Sequence, residues 1–343
     1  MAGPFKFPTR MPILMRLRPA AVCAALLVAA ACTQSPATGG ATKSARKQIA
    51  VIPKGTTHEF WKAVHAGAVK AAREGNADVI WKGPVKEDDR DEQIKVVENF
   101  LSQGVDGIVL APLDDRALAP SLSDAKARHI PVAIIDSAIQ SDDYVTFVAT
   151  DNEKAGGLAA DRLGSLLGGK GDVLVLRYAE GSASTMARES GFLKTLAEKY
   201  PGIKVVSSNR YGGATSESAM AASENLLSTY KMVQGIFCPN ESTTFGMLLA
   251  LDAANRSGKV KFVGFDATTK LVDAMAAGKI DGLVVQNPFR MGELGVKMLL
   301  DKMAGAAVDK RVDTGATMVT RDNMSQPDIK ALLAPDLAKF LNQ

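Results

Sequence analysis

From Gln48 onward the chain alternates short apolar runs with longer segments of helical period, and the short runs are apolar on both faces. A strand with one wet face alternates apolar and polar side chains, whereas a strand covered on both sides does not. Such strands, each followed by a helix, belong to a parallel sheet lying between helix layers. The pattern predicts an α/β protein with strands over 49–52, 79–81, 107–110, 132–135 and 145–149 in its first half, and helices over 60–74, 89–103 and 117–128. In the middle helix Ile94, Val97 and Leu101 recur at helical spacing while Asp91, Glu92, Lys95 and Glu98 take the wet face. The second half repeats the scheme, with strands over 173–177, 204–206, 235–237, 261–263 and 283–285 and helices over 154–167, 186–199, 216–229, 244–256 and 271–277. Segments 49–74 and 173–198 share the order strand, polar loop, amphipathic helix. Two similar doubly wound parallel-sheet domains are therefore expected, as the length of 343 residues also suggests.

The N-terminus reads as an address. Arg16 and Arg18 precede a run of small and apolar residues, 20–31, that ends at Ala29-Ala30-Ala31-Cys32. This has the parts of an export signal and falls short of the roughly 20 apolar residues needed to span a bilayer. A Cys after three small residues resembles a bacterial lipobox, which implies that Cys32 carries lipid, although Ala29 stands where such motifs usually have Leu. The expected division is a signal peptide over 1–31 and a tether rich in Thr, Ser, Ala and Gly over 32–47, with the folded body beyond. The body then works in the periplasm or cell envelope. With Cys23 removed alongside the signal, only Cys32 and Cys238 remain, so the core and not a disulfide framework must hold the fold.

Charge excludes one class of partner. Formal net charge is +4, but Lys6, Arg10, Arg16 and Arg18 account for all of it, leaving 37 basic against 37 acidic side chains. A balanced body without basic runs carries no footprint for nucleic acid. Partners are expected among small molecules and proteins.

In open parallel sheets the ligand crevice lies beyond the carboxyl ends of the strands. The residues just after each predicted strand are Lys54 to Trp61, Asp136 and Ser137, Thr185 to Arg188, Asn240, Asp266 and Gln286. Carboxylates, amides, a guanidinium and two adjacent aromatics suit a sugar ring, whose C–H faces stack on Phe or Trp while its hydroxyls pair with planar donors and acceptors. Taken singly, each has a plainer reading: Phe60 and Trp61 as core, Asp136 and Asp266 as caps or turn residues, Arg188 as surface charge.

The stretches IAVIPKGTTHEFWKAVHAGAVKAA, GVDGIVLAP, IPVAIIDS, ATDNEKAGGLAADRL, ARESGF, GIFCPNESTTFGMLLAL, FVGFDAT and GKIDGLVVQNP resemble the bacterial periplasmic sugar-binding proteins of the ribose-binding type. These are solute receptors of ABC importers whose fold, periplasmic binding protein type I, also serves lac-repressor-type regulators. The resemblance runs in order over about 48–320. It implies Phe60 and Trp61 as a stacking pair, Asp136 and Arg188 as hydroxyl-binding charges, and Asn240, Asp266 and Gln286 as contacts from the second domain. Ribose binders have an Asn where His58 stands, an Arg where Ser137 stands and an aromatic near Ala214. Tyr211 lies close enough in sequence to replace the last. These departures point away from ribose toward a bulkier or differently substituted polyol, with His58, Glu59 and Lys54 as new polar contacts.

The resemblance further implies chain crossings near 150–152, 286–288 and 315–319. The lobes would then be 48–150 plus 287–317 and 151–286 plus 318–343, closing about a hinge. The expected protein is a monomeric, lipid-anchored receptor that hands its ligand to an ABC importer permease. A sensor kinase or chemoreceptor is the alternative listener.

Catalysis, a cofactor and a metal are not expected. His58-Glu59-Phe60-Trp61-Lys62 begins like a zinc protease motif, but Lys62 stands in place of the second His. Gly168-Gly169-Lys170-Gly171 lacks the spacing of a phosphate-binding loop and reads as a helix stop. Cys238 beside Pro239 reads as a buried inert thiol. A DNA-binding regulator would need a helix-turn-helix where this chain has its export segment.

Overall fold

The computed structural model describes residues 46–341, so the export segment, the Cys32 lipidation site and most of the tether lie outside the described residues. The elements run β1 (Lys47–Ile52), α1 (Glu59–Glu74), β2 (Ala77–Trp81), α2 (Arg90–Gln103), β3 (Gly107–Leu110), α3 (Ala119–Ala127), β4 (Val132–Ile135) and β5 (Thr146–Ala149). They continue α4 (Asn152–Leu166), β6 (Lys170–Arg177), α5 (Ala183–Lys199), β7 (Gly202–Tyr211), α6 (Ser216–Thr229), β8 (Gly235–Phe237), α7 (Glu241–Ala253), β9 (Lys261–Phe265), α8 (Thr269–Ala276) and β10 (Gly282–Gln286). The chain ends with α9 (Pro288–Met303), β11 (Arg311–Asp313), β12 (Ala316–Val319), α10 (Pro327–Leu333) and α11 (Ala338–Leu341).

These strands form two six-stranded sheets with orders β11-β5-β4-β3-β1-β2 and β12-β10-β9-β8-β6-β7. Every pairing is parallel except β10 with β12. Position by position the two orders are the same, so the α/β architecture of two similar doubly wound lobes stands. Both faces of each sheet are covered. In β1, Ile49 and Val51 pack with α1 and α9 residues such as Val64 and Leu299, while Ala50 and Ile52 face α2 and α3 residues such as Val97 and Leu122. All four strand residues are fully buried, which is why the strand reads as continuously apolar.

One helix pair in each lobe touches backbone to backbone through a glycine on either helix. A Cβ on Gly67 of α1 would lie 1.9 Å from the Phe289 carbonyl oxygen, and one on Gly292 of α9 would lie 2.0 Å from that of Val64. In the second lobe Gly156 of α4 meets the Arg188 carbonyl and Gly191 of α5 meets that of Glu153, each at 2.0 Å. The α4–α5 contact fixes the turn of α5 that carries Arg188.

The chain passes between the sheets after β5, between β10 and α9, and between β11 and β12. Asp313 ties two of these strands together, its Oδ1 accepting from Asp151 N at 3.0 Å and Gly315 N at 2.8 Å. The tail passes between the lobes once more. In α10, Ile329, Leu332 and Leu333 pack on the second lobe's core, but α11 lies against the first lobe. There Arg73 donates to the carbonyls of Lys339 and Phe340, and Phe340 meets Phe289 at 5.5 Å. The expectation that 318–343 stays with the second lobe therefore needs correction at α11.

No helix among the described residues is long and apolar enough to cross a membrane.

Candidate functional site

At the carboxyl ends of both sheets, where the lobes face each other, a cavity is lined by Lys54, His58, Phe60, Trp61, Glu87, Asp136, Tyr178, Ser184, Thr185, Arg188, Asn240, Glu241, Asp266 and Gln286. This is the crevice where doubly wound sheets place ligands. The two aspartates are local counterparts. Asp136 follows β4 with φ 61° and Asp266 follows β9 with φ 68°, both in the left-handed region that Asp tolerates better than most residues. That backbone turn is how each strand places a carboxylate in the cavity.

Phe60 and Trp61 meet edge to face at 4.9 Å, and Trp61 is only 2% exposed. Trp61 is thus both wall and core. Its indole N–H donates to Glu87, which also takes His58 Nδ1 at 2.9 Å and the Tyr178 hydroxyl at 2.9 Å. Burial opposes charge on His58, but the Glu87 carboxylate outweighs it and lifts the imidazole from 6.5 to about 9. Burial likewise opposes charge on Glu87, yet the His58 charge, with Lys54 and the Trp61 bond, pulls it down to about 2. The pair is ionised at neutral pH.

Lys54 Nζ sits 3.0 Å from Asp136 Oδ2 and donates across to Ser182 and Ser184 of the second lobe at 3.3 and 3.0 Å. Arg188 is 2% exposed and lies over the Phe265 ring at 4.0 Å. It donates to Asn152 Oδ1 at 2.8 Å and the Pro239 carbonyl at 2.9 Å, and burial lowers its pKa. Asn240 caps α7, accepting from Thr243 N at 3.3 Å. Asp266 accepts from Glu241 N at 3.0 Å and from Gln286 Nε2 at 2.7 Å. Burial raises the Asp266 carboxyl, partly offset by the Arg188 charge.

Cross-lobe hydrogen bonds ring the cavity. Phe60 N donates to Glu241 Oε2 and Thr269 N to Glu59 Oε2, each at 3.4 Å, so each helix start receives a glutamate from the opposite lobe. Neither is close enough to be strong. Arg90 Nη2 donates to the Glu180 carbonyl at 2.8 Å, and Asp115 N to that of Gly181 at 2.9 Å.

The structure gathers His58, Phe60, Trp61, Asp136, Arg188, Asn240, Asp266 and Gln286, together with Lys54 and Thr185, around this one cavity. Ser137 is not among the lining residues; it is fully buried and its Oγ accepts from Ser184 N at 3.0 Å, joining the lobes instead. Tyr211 does not fill the aromatic place near Ala214, for it is 41% exposed and stacks on Arg177 at 4.9 Å. Glu59 points to α8 and Cys238 is a buried free thiol. Glu87, Tyr178, Ser184 and Glu241 are lining residues that sequence reasoning missed. Glu241 follows Asn240 directly and Ser184 sits one residue before the predicted Thr185, whereas Glu87 lies in the charged turn KEDD with nothing in its spacing to mark it. No group of His, Cys, Asp and Glu among the described residues is arranged to hold a metal.

Two lobes of one topology, with polar side chains from both and an aromatic pair from one converging on the cavity between them, define the class of two-lobed small-molecule-binding proteins. Residues 49–307 match the periplasmic binding protein domain family, and the chain belongs to it. This is a family of binding proteins serving transport, not of enzymes. A ribose import binding protein of Bacillus subtilis is 28% identical over 76% of this chain and 83% of its own length. A solute-binding protein of a carbohydrate transporter from Agrobacterium radiobacter, solved with D-arabinose, superposes with TM-score 0.82 at 35% identity, covering 85% of this chain and all of that one. An ABC transporter solute-binding protein from Agrobacterium vitis with bound D-fucose gives TM-score 0.81 at 34% identity, covering 84% of this chain and all of that one.

Proposed function

We propose that this chain is an extracytoplasmic solute-binding lipoprotein, anchored at Cys32, that captures a sugar-like molecule between its lobes and presents it to an ABC importer. The observation that carries this reading is the cavity itself: an aromatic pair from one lobe and hydrogen-bonding side chains from both, at the strand ends of both sheets. Phe60 and Trp61 stack on the ring, Asp136, Arg188, Asn240, Asp266 and Gln286 take hydroxyls, and His58 adds a charged donor. Ligand contacts from both lobes favour the closed arrangement, and closure about the hinge strands is the signal a permease reads. The protein acts as a monomer. Affinity in the micromolar range of capture proteins corresponds to about 8 kcal/mol.

The test is thermal unfolding of residues 48–343 against pentoses, hexoses, polyols, amino sugars, sugar acids and nucleosides. A ligand at a thousand times its Kd adds about 4 kcal/mol, enough to raise Tm by several degrees. Asp136→Ala or Asp266→Ala should then weaken the hit at least tenfold while the protein stays folded. A flat panel on refolded, ligand-stripped protein refutes the receptor, and unchanged affinity in both variants refutes the site.

A further inference from the structure

Hydrogen-bonding capacity in the cavity is uneven. Lys54 is engaged by Asp136 and two serine hydroxyls, and His58 by Glu87. Arg188 is bonded to Asn152 and Pro239 and covered by Phe265. Four carboxylates line the site, Glu87, Asp136, Glu241 and Asp266, against three cationic side chains, Lys54, His58 and Arg188. Glu87 and Asp136 are ion-paired, whereas Asp266 is held by hydrogen bonds from Glu241 N and Gln286 Nε2, and Glu241 Oε2 takes only the long bond from Phe60 N.

A second, independent observation lies beside it. Gln286 is 2% exposed and its Nε2 is held by Asp266, but its buried Oε1 has no hydrogen-bond donor. A buried acceptor left open costs about 1–3 kcal/mol, so it calls for an N–H or O–H from outside the protein. Glu241, Asp266 and Gln286 are linked through Asp266, whose two oxygens take Glu241 N and Gln286 Nε2. This part of the lining presents two under-used acceptors, the Glu241 carboxylate and Gln286 Oε1.

We infer that the ligand carries an amino group, as in an amino sugar or aminopolyol, whose ammonium is received by Glu241 and the side-chain oxygen of Gln286 next to Asp266. The inference rests on the receptor reading above and narrows its ligand class. An ammonium brings three donors, no acceptor and a positive charge to add to that of His58, whereas a hydroxyl brings one donor and sets its lone pairs among acceptors. The titration of Glu241 agrees. Burial lifts it from 4.5 to about 7, with Asp266 and Glu87 adding to the rise against the His58 charge and the Phe60 N–H. That is how a carboxylate in want of a cation behaves.

The experiment is calorimetric titration of the protein with matched pairs: 2-amino-2-deoxyhexoses against their parent hexoses, and 1-amino-1-deoxyalditols against their parent alditols. The amine member of at least one pair should bind roughly tenfold or more tightly, as a charge-assisted bond replaces a neutral one. At pH 6.5 its binding should release a proton from Glu241, read as a heat that changes with the buffer. Both the preference and the proton release should vanish in Glu241→Gln. Hydroxyl members binding as tightly as the amines in every pair would overturn the inference while leaving the receptor reading intact. So would an amine preference that survives Glu241→Gln. Binding by no member of either series would bring down both readings.

Discussion

Glu87→Gln removes the charge from the one carboxylate that gathers His58, Trp61 and Tyr178. In the native protein His58 keeps its proton up to about 9, against 6.5 for a free imidazole. The unfolded chain gives up that proton near 6.5, so the ion pair stabilises the fold fully below pH 6.5 and ceases to do so as pH rises through about 9. At about 1.4 kcal/mol for each unit of difference, the contribution is about 3 kcal/mol, an upper figure for so buried a pair. In the glutamine variant only Glu241 and Asp266 remain to oppose the burial of His58, so its pKa falls and the loss of stability across that window shrinks. Urea unfolding of both proteins at steps from about pH 6 to 9.5 reads this directly. Glu241, raised to about 7, titrates at the low end of this range and feels both His58 and Glu87, so the two curves are compared above about pH 8, beyond its titration. Wild-type stability should fall toward that of the variant as pH rises. Parallel curves would refute the account of the His58–Glu87 pair.

Other changes should act through packing. Gly156→Ala places a methyl group 2.0 Å from the Arg188 carbonyl, so α5 must shift; about 1–3 kcal/mol of stability should be lost, with weakened ligand binding seen in the same titrations. Trp61→Ala opens a cavity in the first lobe's core and should cost about 3–5 kcal/mol by denaturant unfolding, besides lowering affinity; a stable variant would mean that Trp61 is not core. Phe340→Ala should free α11 from Phe289, speeding amide exchange in 338–341 while global stability changes by about 1 kcal/mol or less.

The strands and helices up to β10 were legible because their burial is written into their side chains: β3, β4, β8 and β10 are buried at every residue and carry unbroken apolar runs. The later elements carry no such mark. β11 is the three residues Arg311–Asp313 at a sheet edge, and β12 is an antiparallel edge strand whose residues are mostly half-buried. Helix α9 begins at Pro288, directly after the hinge. Of the site, Asp136 and Asp266 could be found because a strand end has a sequence signature. Glu87 could not, since its place is set by what folds over it. Ser137 was misplaced for a related reason: a residue after a strand can face the cavity or the opposite lobe, and the left-handed turn at Asp136 decides which.

The return of α11 to the first lobe has a practical outcome. Described residues at both ends lie on that lobe, since Arg46 donates to the Ala77 carbonyl and Phe340 rests on Phe289. The second lobe is in effect an insertion, entered and left through hinge strands. Fluorescent reporters attached at Arg46 and Leu341, the ends of the described residues, would ride on one body and report almost nothing of lobe movement. A reporter at Met232, 83% exposed on the second lobe, paired with one at either of those positions would see it.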